Sequence, residues 1–274
     1  MNVFASPEMI RSLTPRSRFD RLPDGRPKVP DDVVHRIAES SIEQVWKTLG
    51  LAGYDHQFEG NWLQTHPGRV LVGRAVTAMF MPFRPDLDDV VVAGSGKPAG
   101  DRAQGGGGQN SWVIDSLLPG DVLVADLFGK IEDGTLVGDN LSTTLSRRTG
   151  AGAVIEGGIR DYEGVRQISP LQIFCRGLHP TAIREMTLVG VNVPLRIGRA
   201  TVLPGDVVLG KDTGVIFIPP HLAEDVATRA EDIRLRDRFS KQRLAEGRYT
   251  AFVIDRDWTP EIEADFHAWR ASRG

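Results

Sequence analysis

The chain has 274 residues, 41% of them hydrophobic, and its 33 basic and 36 acidic side chains leave a formal net charge of −3. This length and composition suffice for one large core, or for one domain with terminal extensions. The near balance of charge gives no reason to expect nucleic acid or an anionic membrane as a partner. Cys175 is the single cysteine, which excludes an intrachain disulfide and a thiolate metal cluster. Without a long apolar run or a signal-peptide pattern, we expect a cytoplasmic protein.

Residues 1–30 contain five prolines among arginines and aspartates, a composition typical of an irregular arm. We expect such an arm to wrap a neighbouring subunit, or to be disordered in an isolated chain. From Asp31, apolar residues recur at helical spacing as far as Gly50, which predicts one helix. Residues 69–81 are rich in β-formers and predict a strand or a hairpin arm.

Residues 94–108 read GSGKPAGDRAQGGGG, a much looser composition than that of their surroundings. One interpretation is a mobile lid from which Lys97 or Arg102 reaches a bound carboxylate. The other is a solvated surface loop, which we favour because composition predicts mobility and not purpose.

The second half of the chain alternates predicted strands and helices. Pro119-Gly120 precedes a strand that opens with Asp121-Val122, and the same Pro-Gly-Asp-Val order returns at Pro204. The repeat predicts two equivalent turn-to-strand units in one layered sheet. The remaining predictions are strands at 172–174 and 187–191, and helices at 112–118, 221–246 and 258–269. The excess of arginine in the helix 221–246 indicates a solvated or subunit-facing surface.

The stretch from Gly138 to Ile168 carries the densest pattern. Gly138-Asp139 opens a predicted helix that runs through Arg148 and stops at Gly150. Residues 153–156 predict a buried strand, and Gly157-Gly158 allows a tight exit from it. Arg160-Asp161 then follows the carboxyl end of the strand, where open α/β sheets usually bind their ligands.

Two chemistries are available at this point of the chain. The N–H groups of Asn140 and Leu141 are expected to be unpaired at the helix N-terminus and able to hold a carboxylate or phosphate. Arg160 adds a planar fork for the same anion, and Asp161 is a hard oxygen ligand suited to Mg²⁺ or Mn²⁺. Alternatively, Asp139 and Asp161 are only helix caps and Arg160 is an ordinary ion-pair partner. These residues alone do not decide between the two interpretations.

Asp139, twenty further residues and Arg160-Asp161 together resemble the signature of the class II pyruvate aldolases. The resemblance is to the 4-hydroxy-4-methyl-2-oxoglutarate/4-carboxy-4-hydroxy-2-oxoadipate aldolase type, which is grouped with the RraA-like ribonuclease regulators. It covers roughly residues 33–230. Further matching segments lie at 72–77, 119–124, 204–208 and 212–215.

The resemblance implies an α/β fold, an αββα layered sandwich, with an irregular N-terminal arm and a C-terminal helical extension. The corresponding divisions are an arm at 1–30, an RraA-like catalytic domain at 31–238 and an extension at 239–274. It also implies a homotrimer or homohexamer with sites at the subunit boundaries. In these aldolases an acidic residue reaches the neighbouring subunit's site. The matching position in this chain is Glu43 or Gln44, and the spacing leaves both open.

The implied reaction is the cleavage of a 4-hydroxy-2-oxo diacid to pyruvate and a second oxo acid, through a pyruvate enolate. Asp161 would hold Mg²⁺ or Mn²⁺, largely through water, while Arg160 and the ion polarise the C2 carbonyl. Asp139 would orient or activate a water for proton transfer. Oxaloacetate decarboxylation is an expected side activity, because loss of CO₂ leaves the same enolate.

The loop at the start of the helix would bind the substrate, a small 2-oxo acid, with Gly138 beside the amides of Asn140 and Leu141. Two other functions stay open. One is a related lyase or decarboxylase for another 2-oxo acid. The other is a non-enzymatic ribonuclease regulator, against which the presence of Asp161 counts, because regulators of this group tend to lack that acid.

Overall fold

The computed structural model describes residues 1–96 and 108–272. The predicted lid residues Lys97 and Arg102 lie outside these ranges. The helices are α1 (Pro7–Leu13), α2 (Asp31–Ala38), α3 (Ile42–Leu51), α4 (Pro85–Ser95), α5 (Gln109–Ile114), α6 (Asp139–Thr149), α7 (Tyr162–Val165), α8 (Ala223–Ala245), α9 (Ala251–Ile254) and α10 (Pro260–Ala271). The strands are β1 (Phe58–Glu59), β2 (Leu63–Gln64), β3 (Leu71–Pro82), β4 (Asp121–Asp126), β5 (Gly152–Ile159), β6 (Gln172–Leu178), β7 (Met186–Val191), β8 (Leu195–Ile197), β9 (Ala200–Val202), β10 (Val207–Lys211) and β11 (Gly214–Ile218). None of the described helices combines the length and apolarity needed to cross a membrane.

Nine strands form one mixed sheet in the order β1-β11-β10-β3-β4-β5-β6-β2, with β7 pairing beside β10 on the same edge of β3. Strands β3 to β6 are parallel, whereas β10 is antiparallel to β3. The sheet curves strongly: a Cβ on Gly210 of β10 would lie 2.6 Å from the ring of Phe174 on β6, although three strands separate β10 from β6. The curvature makes two β layers that face each other.

Three apolar clusters fill the spaces between these layers. One lies between the two β layers and the small hairpin β8–β9. A second packs α5, α6 and α7 on the outer face of β3 to β6, and a third packs α2, α3 and α8 outside β10 and β11. Burial of apolar area on both faces of each layer stabilises this arrangement. The predicted αββα layering is confirmed.

The N-terminal arm packs against its own chain. We predicted that it would be disordered in an isolated chain, and this prediction is wrong. Ile10 on α1 and Val29 are fully buried, and so is the guanidinium of Arg26. That guanidinium donates to both carboxylate oxygens of Asp121, at 2.8 and 3.0 Å. The partners are 95 residues apart, so no local pattern of apolar residues reveals the contact.

The helix predicted from Asp31 to Gly50 is in fact two helices, α2 and α3. The break falls at Ser41, whose hydroxyl accepts the Gln44 N–H while the Gln44 side chain accepts the Ser41 N–H. This reciprocal capping box begins a new helix. The apolar spacing continues across the break because both helices bury the same face, and that continuity produced the wrong prediction.

The C-terminal part has a small core of its own. Phe239 from the end of α8 packs against Phe266 and Trp269 of α10, with ring centroids 5.5 and 5.7 Å apart. Ile254 of α9 and Ile262 complete this cluster. The predicted packing helix at 258–269 is observed as α10, and the helix predicted at 112–118 is observed earlier, as α5.

The two Pro-Gly-Asp-Val turns flank β3. Val207 of β10 and Asp121 of β4 pair with the same residue, Arg74. In each turn the aspartate accepts the N–H three residues before it, from Leu118 or from Leu203, at 2.8 Å. The predicted equivalence of the two turns is confirmed, although the strands that follow them run in opposite directions.

Candidate active site

The start of α6 meets the end of β5 at a glycine. Gly138 is buried, and a Cβ there would lie 2.2 Å from Asp161 Oδ2 and 2.9 Å from Arg160 Nε. Its φ of −112° is accessible to any residue, so lack of space is what excludes a side chain. The structure therefore brings Gly138, Arg160 and Asp161 together, as the sequence predicted.

A pairing that the sequence did not reveal holds these residues in place. Residues 134–137 run beside the end of β5, with a bridge between Thr135 and Gly158. The Arg160 N–H donates to the Val137 carbonyl at 3.0 Å. A bulge between Ile155 and Gly158 accompanies the change of partner, and β5 extends beyond the predicted 153–156. The segment that enters α6 is thereby fastened to the segment that leaves β5.

Asp161 has a left-handed backbone, with φ 52° and ψ 40°. Non-glycine residues in this region are uncommon, and such residues cluster at ligand sites. It precedes α7, but its side chain makes no capping hydrogen bond. The interpretation of Asp161 as only a helix cap is therefore wrong.

The ion pair between Arg160 and Asp161 is loose. Arg160 Nε lies 3.5 Å from Asp161 Oδ2, and the two side chains are 39% and 43% exposed. At this distance and exposure the pair contributes little to folding. The Arg160 guanidinium therefore remains available to an anion, and the Asp161 carboxylate remains available to a cation.

The helix N-terminus differs from the prediction in one respect. Gly138 is the N-cap residue, and the Asp139 carboxylate accepts the Asn140 N–H at 2.7 Å. The Asn140 amide is thus not free, contrary to the prediction. The Leu141 N–H has no hydrogen-bond partner among residues 1–96 and 108–272, so it remains available to an anion.

Asp139 lies against α7, which Asp161 precedes. A Cβ on Gly164 of that helix would be 3.2 Å from Asp139 Cβ, so this glycine makes room for the acid. Asp139 itself is exposed. Sequence reasoning missed Gly164 and Val137. The one local signal in the sequence is a glycine three residues after Asp161, where a small residue lets Asp139 approach α7.

The donor set limits which metal this site can hold. Within the described ranges, no group of three or more His, Cys, Asp or Glu side chains could hold a metal ion. Asp161 offers one exposed carboxylate. Mg²⁺ commonly binds through one or two carboxylates and keeps several waters, whereas zinc requires three or four protein ligands. The residues present therefore fit a largely hydrated Mg²⁺ or Mn²⁺, and the identity of the ion stays a prediction.

Of the two residues considered for a neighbouring site, Gln44 is committed within its own subunit. Its amide accepts the Ser41 N–H and donates to Asp237 at 3.2 Å. Glu43 is exposed on the first turn of α3. Only Glu43 retains a side chain free to extend outward, and its approach to a second subunit stays a prediction.

Comparison with known proteins places the chain in a family. The family model described as RraA-like: Aldolase/RraA matches residues 38–217. Protein DlpA of Legionella pneumophila is 32% identical over 135 residues, which are 49% of this chain and 22% of DlpA. The 4-hydroxy-4-methyl-2-oxoglutarate aldolase of Thermus thermophilus is 30% identical over 107 residues, 39% of this chain and 64% of the aldolase.

A solved structure extends the likeness to the fold. Streptomyces coelicolor RraAS2, described as an unusual member of the RNase ES inhibitor RraA protein family, is 27% identical with a TM-score of 0.65. The alignment covers 79% of this chain and 98% of RraAS2. With the family model matching well over half of its residues, the chain belongs to the RraA-like family.

Proposed function

We propose that the protein is a divalent-metal-dependent carbon–carbon lyase of the class II pyruvate aldolase type. It cleaves a 4-hydroxy-2-oxo diacid to pyruvate and a second oxo acid. The observation that carries the proposal is the convergence of Gly138, Arg160 and Asp161, with the two charged side chains exposed and only loosely paired. The relatives named as 4-hydroxy-4-methyl-2-oxoglutarate aldolases support the choice of reaction.

The substrate's 2-oxo acid end fits the donors at the start of α6. The Leu141 N–H and the positive end of the helix attract its carboxylate. Gly138 lets the Arg160 and Asp161 side chains lie directly against the helix start, where a Cβ would meet both of them. The Arg160 guanidinium donates to the C2 oxygen, where negative charge develops. Preorganised donors of this kind lower a barrier by about 3–4 kcal/mol each.

Asp161 would hold the ion, mostly through water. When bound, a divalent ion supplies Lewis-acid stabilisation of negative charge on the 2-oxo acid. The exposed carboxylate of Asp139, oriented by the Asn140 N–H, accepts the C4 hydroxyl proton through a water. The C4 oxygen then forms a carbonyl while the C3–C4 bond breaks, and its electron pair becomes the enolate of pyruvate. Return of the proton to C3 completes pyruvate.

Oxaloacetate is the expected side substrate. Its C3–C4 bond breaks with release of CO₂, and the same donors stabilise the resulting enolate. Both reactions form the same pyruvate enolate, which is then protonated at C3, so one site serves both. A related lyase for another 2-oxo acid would use the same residues and differ in the groups that contact the distal carboxylate.

The test is pyruvate release from a panel of 4-hydroxy-2-oxo diacids and oxaloacetate, measured with Mg²⁺, with Mn²⁺ and with EDTA. We expect release from at least one diacid with metal and none with EDTA. Activity that survives EDTA contradicts the metal requirement. Absence of release from every substrate contradicts the lyase.

The second candidate is a ribonuclease-binding regulator, which the likeness to RraAS2 favours. It predicts tight binding to a ribonuclease and no turnover. The left-handed backbone and partly exposed carboxylate of Asp161 support the lyase instead, because strained residues cluster at active and ligand sites. A homotrimer or homohexamer, with Glu43 completing the neighbouring site, is part of the lyase proposal and is measurable by light scattering.

A further inference from the structure

A cavity of about 270 Å³ lies near the amino ends of the parallel strands, whereas Gly138 and Asp161 lie at their carboxyl ends. It opens to solvent and is bounded by residues 13–17 of the arm and the ends of β9, β10 and β11. The strand β4 begins at this end, whereas Arg160 follows the carboxyl end of β5, so the cavity and the candidate active site are separate. Its volume is near the lower limit of small-molecule sites, about 300 Å³.

The walls are mainly apolar, and Asp206 is the acidic group among them. Leu13, Pro15, Leu203 and Pro219 supply apolar contact. Asp206 is 2% exposed, and within the described parts of the chain its carboxyl group accepts a single hydrogen bond, from the Leu203 N–H. Burial raises the pKa of Asp206 to about 8. The second carboxyl oxygen is left for a partner that residues 1–96 and 108–272 do not supply.

Asp121, the equivalent aspartate of the other turn, shows what such a partner is. It accepts the Leu118 N–H in the same way, and the Arg26 guanidinium fills the rest of its carboxylate. Arg16 is exposed at the cavity, but it forms no ion pair with Asp206 among the described residues. One turn carries its cation within the chain, and the other turn presents an open cavity in the same place.

Further polar groups line the walls. Ser17 Oγ is buried and has no hydrogen-bond partner among the described residues. Tyr54 Oη lies 3.3 Å from His221 Nε2. Burial and the positive charge of Arg16 lower the pKa of His221. The Ser17 and Tyr54 hydroxyls and the His221 imidazole can accept or donate hydrogen bonds at the cavity wall.

We propose that this cavity binds a small organic cation, an ammonium, amidinium or guanidinium group joined to a short apolar body, with the cationic head on Asp206. The cation forms the ion pair that Arg26 forms with Asp121, and the apolar body contacts the prolines and leucines of the wall. Residues 13–17 lie outside the segment 38–217 that matches the family model, whereas Asp206 lies inside it, so the arm adds one wall to the cavity.

Benzamidine is the probe, and benzamide is its uncharged counterpart of nearly the same shape. Titration calorimetry on the full chain is expected to show saturable benzamidine binding, with benzamide at least tenfold weaker. Asp206→Asn keeps the shape and the Leu203 contact, and it should weaken benzamidine at least tenfold. Asp212→Asn is the control, because Asp212 is exposed, accepts the Gly68 N–H and does not line the cavity; binding there should be unchanged.

The wild-type protein offers an independent readout. Cation binding requires ionised Asp206, so benzamidine affinity should rise up to about tenfold per pH unit from pH 6.5 towards 8. Arg16, Tyr54 and His221 are the other titratable groups that line the cavity, and burial lowers the pKa of His221. Equal affinity for benzamidine and benzamide, a pH-independent affinity or unchanged binding by Asp206→Asn overturns the proposal. None of these readouts depends on lyase activity.

Discussion

Two arginine–aspartate pairs lie at opposite ends of the parallel strands. They differ in burial and in the distance between the charged groups. Arg26 and Asp121 at the amino end are each 1% exposed and joined by two hydrogen bonds of 2.8 and 3.0 Å. Arg160 and Asp161 at the carboxyl end are about two-fifths exposed, at 3.5 Å. A bidentate, desolvated pair is strong and geometrically specific, whereas a long, solvated pair is neither.

The difference lies in what surrounds each pair. Arg26 also donates to Asp24, and Asp121 also accepts the Leu118 N–H, so the first pair has partners on every side. In the second pair, Asp161 has a left-handed backbone, both side chains pack against Gly138, and both remain partly exposed to solvent. The same two residue types therefore join the arm to the domain at one end of the parallel strands and remain partly exposed to solvent at the other.

The largest expected effect is on stability, at the buried pair. Arg26→Met leaves the Asp121 carboxylate buried without its partner, which should lower the free energy of unfolding by about 3–5 kcal/mol. Urea unfolding followed by circular dichroism measures it. Arg11→Met is the control, since Arg11 is exposed and 3.8 Å from Glu8, and it should change the value by less than about 0.5 kcal/mol. Equal midpoints for the two variants would contradict the structural role of Arg26.

At the exposed pair the effect should appear in catalysis. Arg160→Lys keeps the charge and loses the planar fork, so kcat should fall by about 10²–10³-fold. The urea midpoint should stay at the wild-type value, because the pair is solvated. Steady-state pyruvate release measures the first quantity. A wild-type rate would show that Arg160 is structural.

The close approach of Gly138 to the Arg160 and Asp161 side chains is tested by Gly138→Ala. The added methyl group would lie 2.2 Å from Asp161 Oδ2, so the carboxylate must move, and pyruvate release should fall at least tenfold. Gly50→Ala is the matched control, because its Cβ meets only Asp55 Oδ1 at 3.6 Å. Activity retained in both variants would mean that the close approach is not needed for turnover.

The smallest effect concerns Asp206, the aspartate without an arginine. Its folded-state pKa of about 8 exceeds the ordinary 3.8, so its stabilising contribution is complete at low pH and is lost as the pH rises through 8. Asp206→Asn does not titrate. The stability of the variant relative to wild type should therefore increase with pH, by at most about 1.4 kcal/mol between pH 6 and 7. Parallel urea midpoints at the two pH values would contradict an isolated, buried carboxyl group.

The layered fold and the meeting of Gly138 with Arg160-Asp161 could be predicted, because the family spacing places them at neighbouring element ends. Ser41 and Gln44 carry the capping-box pattern, so the break between α2 and α3 was also visible in the sequence. The bridge between residues 134–137 and the end of β5 was not visible, because backbone pairing over such distances leaves no local pattern. For the same reason the sequence did not reveal the burial of Arg26 against Asp121. The roles of Asp139, Arg160 and Asp161 in catalysis stay predictions.

Asp161 gives the most direct test of the lyase. Pyruvate release from a 4-hydroxy-2-oxo diacid and Mn²⁺ affinity should be measured together for the wild-type protein and Asp161→Asn, with melting temperature as the check on folding. We predict that the variant melts with the wild type, binds Mn²⁺ more weakly and releases no pyruvate. A variant that turns over at the wild-type rate with wild-type Mn²⁺ affinity would contradict the proposed site.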